Sequence, residues 1–430
     1  MERKRETKGD TMQTLLIDGM RRLNGAIPIY GAKNSVLPIL AASFLVHGES
    51  EIENCPALSD VRASLAILQG LGCRVSQDGD RITVSADGVC RSEIPPELMR
   101  EMRSSIIFLG AIAARTGAVS ISFPGGCELG PRPIDLHVAA LKKLGLHIDE
   151  KNGRLHGRVD GRLRGADIAL SFPSVGATEN VLIAASVAKG RTVITNAARE
   201  PEIVDLCRYL NACGARIAGA GEGTVVIDGV DRLTATHHRV IPDRIEAATY
   251  MAAAAATGGS VILKQVELSH LGAIIPLFEE SGCSVSSFGD ELLLTAPTRL
   301  RRIKTVHTMP YPGFPTDAGA PLMAMACVAE GTSVWIETIF QNRYRHVGEL
   351  LRLGAHIKTE GRVAVVEGVP FLSGAAVECT DLRGGAALVV AALAAEGTTE
   401  IGALSHLDRG YADLEQKLSA LGASVRRTSA

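Results

Sequence analysis

A single cysteine in a loop built of glycine and proline is the clearest place for chemistry in this chain. The stretch Pro124-Gly-Gly-Cys-Glu-Leu-Gly-Pro-Arg-Pro133 lies between a strand and a helix pattern, and its composition marks a shaped, exposed segment rather than core. A free thiol titrates near pH ~8.5, so Cys127 carries its proton at neutral pH and can donate it, and neighbouring cations would raise its thiolate fraction. Cys73, Cys213, Cys283 and Cys327 sit instead within apolar elements and read as packing. Two carboxylates could act as bases: Asp317 in Phe-Pro-Thr-Asp before an Ala-rich helix, and Asp381 in Thr-Asp-Leu-Arg. An N-cap role is the plainer alternative for Asp317. Lys33, Arg132, Arg383 and Arg409 all fall in loop-like stretches, where they are either solvated charges or the cations of an anion site.

These residues are carried by a unit that occurs six times. Each copy has an Ala-rich helix, a glycine, a β-branched strand, a second helix ending in glycine, and another strand. The first set of glycines is Gly48, Gly117, Gly190, Gly259, Gly331 and Gly397; the second is Gly72, Gly145, Gly214, Gly282, Gly354 and Gly422. Each recurs about every 70 residues, as expected where a left-handed residue ends a helix and releases the chain. Ser-Val-Trp-Ile-Glu and Thr-Val-Ile-Thr-Asn have strand character. The second helix has one apolar stripe, as in Val347, Leu350, Leu351 and Leu353, whereas the first is apolar nearly all round and belongs inside, with sheets around it. A stacked solenoid is the alternative that periodicity alone leaves open.

At 430 residues the chain suggests two domains of roughly 200 residues. Its net charge of -2 excludes the broad basic field of a general nucleic-acid binder. Nine cysteines, odd in number, scattered and without a CxxC pair, suit a reduced cytoplasm and offer no metal site. No apolar run reaches the ~20 residues of a membrane span. The opening MERKRETKGDTMQ reads as a disordered tail or an expression remnant. Neither a P-loop nor a dinucleotide fingerprint occurs, so no cofactor is implied.

The segments at 31–43, 125–137, 172–180, 197–205, 242–250, 314–321 and 337–347, among them GAKNSVLPILAAS, GGCELGPRPIDLH, FPSVGATEN and ETIFQNRYRHV, resemble the family of UDP-N-acetylglucosamine enolpyruvyl transferases. The resemblance runs over roughly 14–427. It implies an α/β fold of two inside-out barrel domains, each of three units with helices inside and sheets outside. Residues 34–240 would form one domain and 1–33 plus 241–430 a discontinuous second, the chain crossing near Lys33 and Val240 and the active site lying in the cleft between.

The implied reaction joins the enolpyruvyl group of phosphoenolpyruvate to the 3-hydroxyl of UDP-N-acetylglucosamine and releases phosphate, the first committed step towards peptidoglycan. In that family Cys127 matches the general acid and the target of fosfomycin. Asp317 matches the base for the attacking hydroxyl, Asp381 its companion, and Arg343 a catalytic cation. Lys33, Arg132, Arg383 and Arg409 match phosphoenolpyruvate contacts, and Arg103 a substrate contact. Asn34, Pro133, Ile134, Asp135, Leu136, His137, Ser174, Val175, Gly176 and Ile339 match nucleotide-sugar contacts. Phe172, Gly319 and Gln341 stand where some members carry Lys, Gln and Glu, and Gly384-Gly385 suggests a mobile loop. The shikimate-pathway enzyme is the nearest rival, but it lacks the Gly-Gly-Cys loop and the Arg-Pro-Ile-Asp-Leu-His segment. A non-catalytic scaffold would keep the glycines and lose the Cys, Asp and Arg set. The oligomeric state is not legible.

Overall fold

The computed structural model describes residues 13–88, 90–123 and 134–429. Six apolar helices, Lys33–Ser43, Phe108–Thr116, Val175–Ala185, Arg244–Ala256, Thr316–Ala326 and Leu382–Ala394, alternate with six outer ones, Ser59–Gly70, Asp135–Lys143, Pro201–Ala212, Ile275–Glu280, Val347–Arg352 and Leu414–Ala420. Helix Leu382–Ala394 is buried from Arg383 to its end, and Arg244–Ala256 is buried but for its last residue. Such helices have no polar face and are stable only when enclosed.

The second set of glycines behaves as the sequence predicts. Gly72 has φ +102°, its N–H donates to Gln69 O and that of Cys73 to Leu68 O, which is the paired closure of a Schellman motif. The same pair of bonds recurs at Gly214, Gly282, Gly354 and Gly422. Two expectations need correction. In the fourth unit the left-handed residue is Gly258 (φ +65°), not Gly259; a Cβ on Gly259 would stand 2.1 Å from Leu23 O, so that glycine serves a close approach of strands. Only Gly117 directly caps its apolar helix, whereas Gly48, Gly190, Gly331 and Gly397 lie a few residues further on, where the chain turns into a strand.

Each unit centres on one sheet with a common plan, which in the second unit is cut to three strands and an isolated parallel bridge from Glu93 to Ser120. In the first, Glu49–Glu53 runs parallel to His237–Arg239 on one side and antiparallel to Arg81–Ser85 on the other, which pairs with Arg74–Asp78. The fifth repeats it with Thr305–His307, Thr332–Ile336, Val363–Glu367 and His356–Glu360. The plan closes on itself across long sequence distances. His237–Arg239 comes from the end of the third unit, and in the sixth sheet the strand Gln13–Asp18 fills the middle place, between Thr398–Gly402 and Ser424–Ser429. Gln13 therefore belongs to a strand rather than a tail.

Buried apolar residues fall into two clusters. One runs from Val36 to Val240 and adds Ala412; the other takes Leu15 to Ile29 and Ile245 to Leu421. The chain passes between them through two adjacent segments, with Ala32 N–H donating to Ile241 O at 2.7 Å and Asp243 N–H to Tyr30 O at 2.8 Å. Gly31 is demanded there, because a Cβ would fall 1.8 Å from Asn54 O. Among the described residues no helix is long and apolar enough to cross a membrane.

Candidate functional site

Where the two clusters face each other the structure has a cleft of about 720 Å³. Lys33, Asn34, Arg103, Ile134, Asp135, Leu136, His137, Ser174, Val175, Gly176, Asp317, Ile339, Arg343, Asp381, Arg383 and Arg409 all line it. Residues from eight separate stretches of sequence are thus brought to one surface. Cys127, Arg132 and Pro133 lie outside the described residues. Of the three departures, Phe172 lines the cleft and is 42% exposed, while Gly319 and Gln341 are not on its wall.

Two charged groups organise the cleft. In the first, Asp60 receives Lys33 Nζ at 2.6 Å and Arg409 Nε at 3.0 Å. Asp60 is 2% exposed. Burial opposes its ionisation, but the two cations outweigh that and hold the carboxyl below its ordinary value. It belongs to helix Ser59–Gly70, whereas Arg409 comes from the other core cluster, so this contact ties the two together. Sequence reasoning missed Asp60. It looks like an ordinary acidic residue in a helix's first turn, and its arginine partner is 349 positions away.

In the second group Asp317 accepts from Arg343 Nη2 at 3.2 Å, from Arg383 Nε at 3.3 Å and from Arg383 Nη2 at 3.2 Å. Both guanidinium groups are 3% exposed. Arg383 Nη1 also donates to Tyr411 Oη at 3.1 Å, and the hydroxyls of Tyr411 and Thr249 lie 2.8 Å apart. The N-cap reading of Asp317 does not hold. Helix Thr316–Ala326 starts at Pro315 without a side-chain cap, and Asp317 lies inside its first turn with its oxygens on arginine. Capping falls to Asp381, which accepts from the N–H groups of Arg383 and Gly384 at 3.0 Å each. Gly384 and Gly385 are not a mobile loop; they open helix Leu382–Ala394, and Cβ atoms there would meet Thr380 Oγ1 at 2.7 Å and Cys379 Sγ at 2.8 Å. Close packing explains both.

On the opposite wall His137 receives Asn180 Nδ2 at Nδ1, 2.8 Å away. Asn180 is fixed in that orientation, since its Oδ1 accepts from Gly110 N–H and its Nδ2 also reaches Ile106 O. The imidazole proton therefore sits on Nε2. Burial, helped by Arg103, pulls the His137 pKa down to about 4. Nearby Glu179 is pushed up to about 8 by burial and by Glu202 and Glu200. Sequence reasoning gave these carboxylates no role. Cys73, Cys213, Cys283 and Cys327 are buried, as expected from their apolar settings.

The family model described as EPSP synthase (3-phosphoshikimate 1-carboxyvinyltransferase) matches residues 17–418. UDP-N-acetylglucosamine 1-carboxyvinyltransferase 1 of Symbiobacterium thermophilum is 51% identical over 417 residues, covering 96% of this chain and 94% of its own. UDP-N-acetylglucosamine 1-carboxyvinyltransferase 2 of Caldanaerobacter subterraneus subsp. tengcongensis is 50% identical over 412 residues, covering 96% and 98%. Among solved structures, the enolpyruvyl transferase NikO from Streptomyces tendae superposes with a TM-score of 0.88 at 27% identity, over 98% of this chain and 100% of that one. An EPSP synthase from Acinetobacter baumannii, at a TM-score of 0.72 and 18% identity over 97% and 100%, shares the fold.

Proposed function

Since the chain belongs to the EPSP synthase family of enolpyruvyl transferases, we propose that it moves the enolpyruvyl group of phosphoenolpyruvate to the 3-hydroxyl of UDP-N-acetylglucosamine with release of phosphate. Half of its residues are shared, over nearly the whole chain, with enzymes named for that transfer, and this observation carries the reading. The product is the first committed precursor of peptidoglycan, and the setting is the cytoplasm.

In this reading the two core clusters are the hearts of two domains, 34–240 and 1–33 plus 241–430, each an inside-out barrel of three units. The substrates meet between them. Phosphoenolpyruvate, with its phosphate and carboxylate, is received by Lys33, Arg132, Arg383 and Arg409, whose charges neutralise it and fix a near-attack pose. UDP-N-acetylglucosamine lies along Asn34, Arg103, Pro133 to His137, Ser174 to Gly176 and Ile339.

The chemistry then needs one base and one acid. Asp317 takes the proton of the 3-hydroxyl as its oxygen bonds to C2 of phosphoenolpyruvate, while Cys127 gives a proton to the methylene carbon, forming a tetrahedral ketal. Loss of phosphate, with a proton leaving the new methyl group, restores the double bond as an enol ether. Arg343 and Arg383 hold the Asp317 carboxylate from both sides, and Asp381 sets the start of the helix that presents Arg383.

Phosphate release measured with UDP-N-acetylglucosamine and with shikimate 3-phosphate as acceptors tests this directly. Turnover with the nucleotide sugar alone is the expected result. Turnover with shikimate 3-phosphate instead would move the chain to the other branch of its family.

A further inference from the structure

The wall of the cleft beyond Ser174 holds a carboxylate cluster that the reaction does not use. Glu179 is 3% exposed, lines the cleft and makes no hydrogen bond or ion pair with a described residue. Around it stand Glu200 and Glu202 from the start of helix Pro201–Ala212, Arg244 from helix Arg244–Ala256 and His137 from helix Asp135–Lys143. Among the described residues named here Arg244 is the one cation, and it is committed to Glu202 through two bonds of 3.0 and 3.2 Å. Glu200 accepts from Tyr311 N–H at 3.3 Å with one oxygen, while the other is buried without a partner.

Three carboxyl groups against one paired guanidinium cannot all be charged in a buried wall. Glu179 has neither a counter-ion nor a donor among the described residues, whereas Glu202 has Arg244 and Glu200 has Tyr311 N–H, so Glu179 is the group that keeps its proton. It then offers an O–H for which no described residue supplies an acceptor, and a buried donor requires one. The missing acceptor must come from what fills the cleft.

The neighbourhood indicates what that is. A Cβ placed on Gly176 would lie 3.2 Å from His137 Nε2 and 4.0 Å from Glu179 Oε2, so both polar tips converge beside that glycine. Nε2 is the protonated nitrogen of His137, as Asn180 occupies the other. Helix Val175–Ala185 also begins here, with Ser174, Val175 and Gly176 lining the cleft and Ser174 capping Ala177 N–H. Beside Gly176 the two tips are donors, and neither His137 nor a neutral Glu179 carries a negative charge, while that of Glu202 is offset by Arg244.

We propose that Glu179 is a specificity-determining residue for the nucleotide sugar: its carboxyl O–H and His137 Nε2–H form a pair of neutral donors that flank Gly176 and grip an oxygen of that substrate. The inference rests on the proposed function and adds to it. Ionised Glu179 would lose its donor and oppose an anionic ligand at a helix start, so nucleotide-sugar affinity must fall in alkali.

Binding of UDP-N-acetylglucosamine followed by calorimetry from pH 6.5 to 9.5, beside KM values for both substrates from phosphate release, tests this. Wild-type affinity should hold steady to about pH 8 and then weaken, approaching tenfold per pH unit where only the protonated form binds. Glu179→Gln keeps a neutral donor and should bind with a flat profile. Glu179→Ala should bind about 3- to 10-fold more weakly at pH 7, the loss of one hydrogen bond, with the phosphoenolpyruvate KM unchanged. A Gln variant that follows the wild-type alkaline decline, or an Ala variant with wild-type affinity, overturns the inference; should Ala fail to fold, the Gln profile decides. Absent turnover with preserved, Glu179-dependent binding would instead overturn the proposed reaction and leave the inference standing.

Discussion

The carboxylate of Asp60 lies 2.6 Å from the ammonium of Lys33, and its other oxygen meets Arg409. Removing that charge leaves a buried cation without a counter-ion, which costs on the order of 3 kcal/mol. Asp60→Asn should lower the urea midpoint accordingly. Phosphoenolpyruvate, bringing anionic oxygens to Lys33 and Arg409, should recover more stability in the variant than in the wild type. Equal recovery in both would separate these cations from the anion site.

Tyr411 acts on Asp317 only through Arg383. The Tyr411→Phe change keeps the ring under the guanidinium, 5.6 Å from its centroid, and deletes the hydroxyl that fixes it. A hydrogen bond to a charged group is worth about 1.5–3 kcal/mol, so kcat should fall about tenfold or more, with the nucleotide-sugar KM within twofold. A rise in KM at constant kcat would count against a role in holding Asp317.

Selective thiol chemistry is expected. Burial pushes Cys73, Cys207, Cys327 and Cys379 up to about 12 and Cys213 up to about 11, leaving them protonated and inert at neutral pH. Fosfomycin should modify Cys127, the position that the family resemblance marks as its target. Cys127→Ser should abolish labelling seen by mass spectrometry and reduce turnover by ~10²–10⁴. Label found at another cysteine of the Ser variant would remove Cys127 from its proposed place.

His137 gives the fold an acid-sensitive element. Its pKa drops from 6.5 to about 4 on folding, so the unfolded chain binds the extra proton. The resulting stability is complete above pH 6.5 and is lost as pH falls from 6.5 towards 4, for a total of about 3 kcal/mol. Denaturant titrations should show His137→Gln losing less stability than wild type over that window. Parallel losses would show that another group governs it.

Much of this was legible because the unit repeats within one chain. Gly72, Gly214, Gly282, Gly354 and Gly422 advertise their helix ends, and apolar runs such as Ala386 to Ala395 advertise enclosure. Arg383, Arg409 and Asp317 could be singled out from loop position and family resemblance. What stayed hidden depends on contacts across the chain. Nothing local distinguishes Asp60 from other first-turn acids, or Tyr411 from a packed aromatic, until their partners arrive. Gly258 and Gly259 are both glycine, and only the close approach of Leu23 decides which turns left-handed. Asp317 and Asp381 both stand before apolar runs in the sequence, yet Arg343 and Arg383 claim the first, while the second caps its own helix.

The place of Gln13–Asp18 in the sixth sheet has a consequence for biosynthesis. This strand leaves the ribosome well before both of its neighbours, Thr398–Gly402 and Ser424–Ser429. At ~5–20 residues per second it waits roughly 20–80 s with its edges unpaired. Residues 34–240, whose sheets close among themselves, can meanwhile consolidate. Ribosome-stalled chains ending near residue 390 should thus show a protease-resistant 34–240 core and a cleavable Gln13–Asp18, protected only once the final strand is made. Chaperones that hold exposed strand edges should be found on this segment during that interval, and protection of Gln13–Asp18 in the stalled chains would refute the order.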